Sequence, residues 1–124
     1  MREAFLAGSL LMVLFTAGCN VEEYNISIRN TGSAPITEAH VIYDGFRSAG
    51  GNIQPGGGGV HLLPDYPIPD RATVEWRTAD GQTHRTEVEV RKLIPKGFRG
   101  DIQFGIAEDN TVTVRVVPRE KLQL

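Results

Sequence analysis

The sequence holds a single cysteine, Cys19, and a single tryptophan, Trp76, and aromatic residues make up only 7% of it. With one cysteine, no disulfide can form within the chain, so packing alone must hold the fold. No lysine occurs between Cys19 and Arg91. Acidic and basic residues nearly balance, at a formal net charge of −2, and the basic ones are scattered. A nucleic-acid partner is therefore not expected, because such proteins carry a clustered basic face. No window shows a helical period. The only long apolar run stands at the N-terminus.

Residues 1–18 read as a targeting segment and not as part of the fold. Arg2 gives a basic start, "AFLAGSLLMVLF" an apolar core, and "TAGC" the small residues of a cleavage site. That order describes a secretory signal. The run is shorter than the roughly 20 residues a membrane-spanning helix needs. Ala17, Gly18 and Cys19 resemble the lipobox of bacterial lipoproteins, in which the cysteine is lipidated and becomes the mature N-terminus. The resemblance implies a lipid anchor at Cys19, a short tether over residues 19–23 and the membrane as a partner. Asn20 stands where inner-membrane retention usually involves aspartate, so the expected location is the outer membrane, facing the periplasm. The competing reading is an ordinary signal peptide that happens to contain a cysteine.

Residues 24–118 have the length of one small domain, and residues 119–124 read as a tail. Within "EEYNISIRN", Tyr24, Ile26 and Ile28 alternate with Asn25, Ser27 and Arg29, the period of a half-buried strand. Ile36 to Asp44 repeats the pattern with Ala39, Val41 and Tyr43. Val60 to Leu63 reads as a short strand closed by Pro64. Ala72–Thr78 and Thr83–Arg91 flank "ADG" as a hairpin. A two-residue loop would set Trp76 against Arg85. A three-residue loop with Gly81 in the left-handed position instead pairs Trp76 with His84 and Val74 with Thr86, which keeps one face apolar. A last hairpin around "EDN" sets Ile102, Phe104 and Ile106 against Val116, Val114 and Val112, with Asn110 left-handed. About seven short strands predict an all-β fold: a small antiparallel, immunoglobulin-like sandwich or a partly open barrel.

The stretch "GGNIQPGGGGV" raises the question of phosphate binding. A phosphate-binding loop needs its glycines to open a helix, with a lysine and a hydroxyl at its start. Here the glycines lead into "VHLLP", so the stretch reads as a long, flexible crossing between strands, stiffened at Pro55. His40, His61 and His84 fall on separate strands without metal-ligand spacing, so no metal or other cofactor is expected. Ser27, Ser33 and Ser48 lack a nucleophile elbow. Glu87 and Glu89 alternate with Val88 and Val90, as on a solvated strand face. No catalytic residue is therefore assigned. Trp76 follows the parity of Ala72 and Val74 and is expected inside.

The stretch "GFRSAGGNIQPGGGGVHLLPDYPIPDRATVEWRTADG", together with the closing "GDIQFGIAEDNTVTVRVV", resembles a family of small Gram-negative lipoproteins encoded near type VI secretion effectors. Some members look like immunity proteins. The resemblance implies a non-enzymatic periplasmic lipoprotein that binds and blocks a delivered toxin. Binding residues on β domains usually lie on loops at one end of the sheets. The Asp44 to Gly59 loop is long enough to enter a partner's cleft, with Phe46 and Arg47 as anchors and Asn52 and Gln54 beside them. A second reading is a structural or assembly lipoprotein of the envelope or of a secretion apparatus. A third is a small-ligand or glycan-binding module.

Overall fold

The computed structural model describes residues 23–48, 50–58 and 66–119. The strands are β1 (Glu23–Asn30), β2 (Thr37–Tyr43), β3 (Phe46–Arg47), β4 (Arg71–Arg77), β5 (Thr83–Glu89), β6 (Arg99–Ile106) and β7 (Val112–Pro118). They form a three-stranded sheet, β1-β6-β7, and a four-stranded sheet, β3-β2-β4-β5. β1 approaches β2 and β5 approaches β7 across the interior. No ladder joins these pairs, so the fold is an all-β sandwich and not a closed barrel.

The core follows the strand period. Tyr24, Ile26 and Ile28 of β1 and Ile102, Phe104 and Ile106 of β6 face Ala39, Val41, Tyr43, Ala72, Val74 and Trp76 of the other sheet, all buried. At the β5–β7 side, Val88, Val112, Val114 and Val116 are only half-buried against this core. Edge strands have one neighbour fewer to cover their inward side chains.

The two hairpins adopt the registers expected from the apolar pattern. Trp76 pairs with His84 and Val74 with Thr86. Thr78 donates its backbone N–H to Gln82 at 3.0 Å, enclosing Ala79-Asp80-Gly81, and Gly81 takes φ +85°. Ile102, Phe104 and Ile106 pair with Val116, Val114 and Val112, and Asn110 takes φ +65°.

Three features depart from the expectation. β1 runs parallel to β6, with Glu23 beside Arg99 and Asn30 beside Ile106, so one pair of the sandwich is not antiparallel. Parallel neighbours need a long connection, and the whole four-stranded sheet supplies it. Ser27 lies on the polar side of β1 by parity yet is only 1% exposed. Third, Asp44-Gly45 does not simply end β2. Both residues take positive φ, 45° and 80°, the requirement of a type I′ turn, and Tyr43 pairs with Phe46 across it.

The strand directions give the sandwich two ends. One end gathers the start of β1, the Asp44-Gly45 turn, the segment before β4, the β5–β6 linker and the end of β7. The other gathers the β1–β2, β4–β5 and β6–β7 loops. The expected strand Val60–Leu63, His61 and Cys19 lie outside the described residues.

Candidate binding surface

The glycine-rich stretch is anchored rather than free, contrary to the flexible crossing its composition implies. Ser48 donates its N–H to Val41 O at 2.9 Å, and Ala39 donates to Gly51 O at 3.2 Å. Ile53 and Ile36 exchange backbone bonds at 2.9 and 3.1 Å. The segment then passes to the other sheet, where Asn30 donates to Gly57 O at 3.0 Å and Gly56 donates to Asn30 O at 2.8 Å. Gly57 N–H closes a turn onto Gln54 O at 2.8 Å, with Pro55 and a left-handed Gly56, φ +75°, at its centre. That is the residue order of a type II turn. The backbone polar groups of this segment find partners in both sheets, and this pins it.

Asn30 organises the crossing, and sequence reasoning did not single it out. It is 2% exposed. Its Nδ2 donates to Ala34 O at 2.8 Å and Ile53 O at 3.0 Å, and its Oδ1 accepts from Gly32 N at 2.9 Å. The only sequence signal was an asparagine at the polar end of an apolar strand, before Thr-Gly.

The four residues expected to bind a partner are divided by this path. Phe46 and Arg47 lie at the end where β1 starts. Asn52 and Gln54, both exposed, flank buried Ile53 near the opposite end. Phe46 is half-buried. Its ring sits 5.1 Å from that of Tyr43 and 5.3 Å from that of Tyr66, so it belongs to an aromatic cluster more than to a free loop tip. Arg47 is exposed, and its Nη2 meets Glu75 Oε1 at 3.3 Å.

Arg47 thereby joins a charged ladder on the outer face of the four-stranded sheet. Glu75 Oε2 also meets Arg85 at 3.3 Å, and Arg77 meets Glu38 at 3.1 Å. Arg71 meets Glu87 at 3.0 Å and Glu89 at 3.7 Å. Lys92, beside Glu89, holds that carboxyl below its usual range. A shallow cleft of about 120 Å³ opens among Glu38, His40, Arg47, Glu75, Arg77 and Thr83. His40 Nδ1 lies 2.8 Å from Ser48 O, and a Cβ on Gly50 would fall 2.4 Å from its ring. Glycine is thus needed there for close approach. The resulting surface alternates in charge.

Of the other candidates, Ser48 and Ser33 have side-chain partners, whereas the buried Ser27 Oγ and Trp76 Nε1 make no hydrogen bond among the described residues. Val41 N–H donates to Ser48 Oγ at 2.8 Å, and Ser33 Oγ bonds Glu108. Trp76 is 1% exposed and stacks on His84 at 5.5 Å, so it is no platform for a sugar. Among the described residues, no group of three or more His, Cys, Asp or Glu could hold a metal ion. No helix among them is long and apolar enough to cross a membrane. Thr78 and the Gln82 N–H hold the Asp80 carboxyl below its usual range, and Thr111 does the same for Asp109. These are turn contacts.

No protein-family model matches the sequence, and no curated protein is similar to it. The NMR structure of a protein from Eubacterium rectale is similar in fold, with a TM-score of 0.57. It is 15% identical, over 77% of this chain and 89% of that chain. At that identity the likeness concerns the fold alone.

Proposed function

We propose that this chain is a non-enzymatic lipoprotein of the cell envelope that acts by binding another protein. The observation that carries the reading is the place of Cys19. It closes a lipobox-like "TAGC" and precedes Glu23, the first residue of β1, by four positions. Four residues span at most about 14 Å, so an acyl chain on Cys19 would hold the sandwich directly at a membrane. The mature N-terminal peptide carries an acylated Cys19, and Cys19→Ser abolishes that mass. An unmodified Cys19 overturns the anchor.

The binding role rests on the outer face around Arg47, where the sheet backbone fixes the spacing of exposed charges of both signs. A rigid sheet backbone beneath a contact surface lowers the ordering cost of docking. An immunity protein for an effector delivered to the periplasm is the specific form we favour. Cells expressing the chain then survive an effector encoded beside it, and cells lacking it do not. Survival that does not depend on the chain removes the immunity reading and leaves an assembly role. Burial of Trp76 takes away the residue on which a glycan-binding reading would rest.

A further inference from the structure

Three observations meet at the end of the sandwich where β1 begins. First, β1 starts at this end, with Glu23 beside Arg99, and in sequence only residues 20–22 separate Glu23 from Cys19. Second, the β5–β6 linker here carries Arg91, Lys92 and Lys96 with no acidic residue from Val90 to Phe98. An open groove of about 570 Å³ lies beside it, lined by Lys96, Arg99 and Arg119 together with Pro95, Phe98 and Pro118. Third, the exposed large apolar side chains among the described residues are Leu93, 51% exposed, and Tyr66, 39% exposed. Leu93 stands in the same linker, and Tyr66 packs on Tyr43 at 6.5 Å, so both belong to this end.

The opposite end differs in charge. Its loops, 31–36, 53–57, 79–82 and 107–111, contain Asp80, Glu108 and Asp109 and no lysine or arginine. Acidic side chains do lie at the basic end, but none lines the groove: Asp44 and Asp70 stand at the β2 and β4 termini, Glu89 meets Lys92 at 2.9 Å, and Glu23 lies 3.8 Å from Arg99.

We infer that this end is a seat for anionic phospholipid headgroups, with the groove between Lys96, Arg99 and Arg119 taking the phosphates. The inference rests on the lipid anchor at Cys19, which would bring the end to the bilayer. Basic side chains near an anionic surface attract it, and aromatic and apolar side chains settle at the headgroup level. The anchor supplies attachment and the seat supplies orientation. The acidic end and the Asn52–Gln54 segment then point away from the membrane.

The test places the whole protein on vesicles of phosphatidylcholine, with and without phosphatidylglycerol, and follows amide hydrogen exchange. Exchange at residues 91–99 is expected to slow on the anionic vesicles, while residues 107–111 exchange alike on both. Each reversal, Lys96→Glu or Arg119→Glu, weakens the protection about fivefold. High salt removes it from the unaltered chain, a readout independent of how the variants fold. If the chain floats with the vesicles but residues 91–99 exchange equally on both, the seat falls and the anchor stands. If Cys19 carries no acyl group, the anchor falls and the seat falls with it.

Discussion

The hydroxyls of Tyr24 and Tyr43 meet at 2.6 Å, joining β1 of one sheet to β2 of the other inside the core. Tyr24 also donates to Tyr66 O at 2.9 Å. A phenol has one proton, so Tyr43 is the donor in the pair. Tyr43→Phe removes that donor but leaves Tyr24 its carbonyl partner, and should cost about 1 kcal/mol. Tyr24→Phe leaves the Tyr43 hydroxyl and the Tyr66 carbonyl without this partner, and should cost more, about 2 kcal/mol. The double variant costs less than the sum. Urea unfolding followed by emission from Trp76, the lone tryptophan, measures all three; strict additivity would mean that the bond contributes nothing.

The same clasp sets an alkaline limit. Burial, and then the bond to Tyr24, push the Tyr43 phenol far above its ordinary value of 10.0. The native state favours the neutral form. Its stabilising effect is therefore complete below pH 10 and erodes as the pH rises beyond it, because only the unfolded chain can ionise. Phenolate absorbance of Tyr43 should appear together with loss of the folded signal, and in Tyr43→Phe the alkaline fall in stability should be shallower.

Gly100 and Gly81 both have positive φ but should differ sharply when changed to alanine. At Gly81, φ is +85° and a Cβ meets open space, so the cost is backbone strain alone, about 1 kcal/mol. At Gly100, φ is +154° and a Cβ would fall 2.1 Å from Val117 O. Strain and the forced opening of the β6–β7 ladder together should cost about 3 kcal/mol. Equal denaturation midpoints for the two variants would refute this ranking.

These glycines also mark what the sequence could and could not convey. Gly81 was readable because both flanks alternate, and only one loop length keeps Trp76 and Val74 on a common apolar face with His84 and Thr86. Gly100 was not, since its constraint comes from Val117 and Arg119 across the ladder, and no local pattern carries that. The parallel pairing of β1 with β6 escaped for a similar reason. Alternation tells which side chains turn inward but not which strand lies alongside. Glycine leaves the backbone free, so composition implies a loose segment; its order comes from Asn30, Ile36 and Val41, remote positions whose carbonyls and amides hold it. The division of Phe46 and Arg47 from Asn52 and Gln54 follows from that tethering.

That division decides how the partner surface must be probed. Changing Phe46 and Arg47 together to alanine would confound binding with folding, because Phe46 packs on Tyr43 and Tyr66 within the core's margin. Arg47 offers the cleaner readout. Its side chain is 53% exposed and its partner is a single carboxylate, a pair worth no more than about 1 kcal/mol. Arg47→Ala should therefore leave the unfolding midpoint nearly unchanged. An arginine that acts as an interface hot spot contributes about 2 kcal/mol or more, so if Arg47 is the anchor a loss of about thirtyfold in partner affinity is expected. Asn52→Ala, near the other end of the segment, should leave affinity within about threefold if the contact centres on Arg47. A partner that binds the Arg47→Ala chain at full strength but not the Asn52→Ala chain would move the interface to the opposite end of the sandwich.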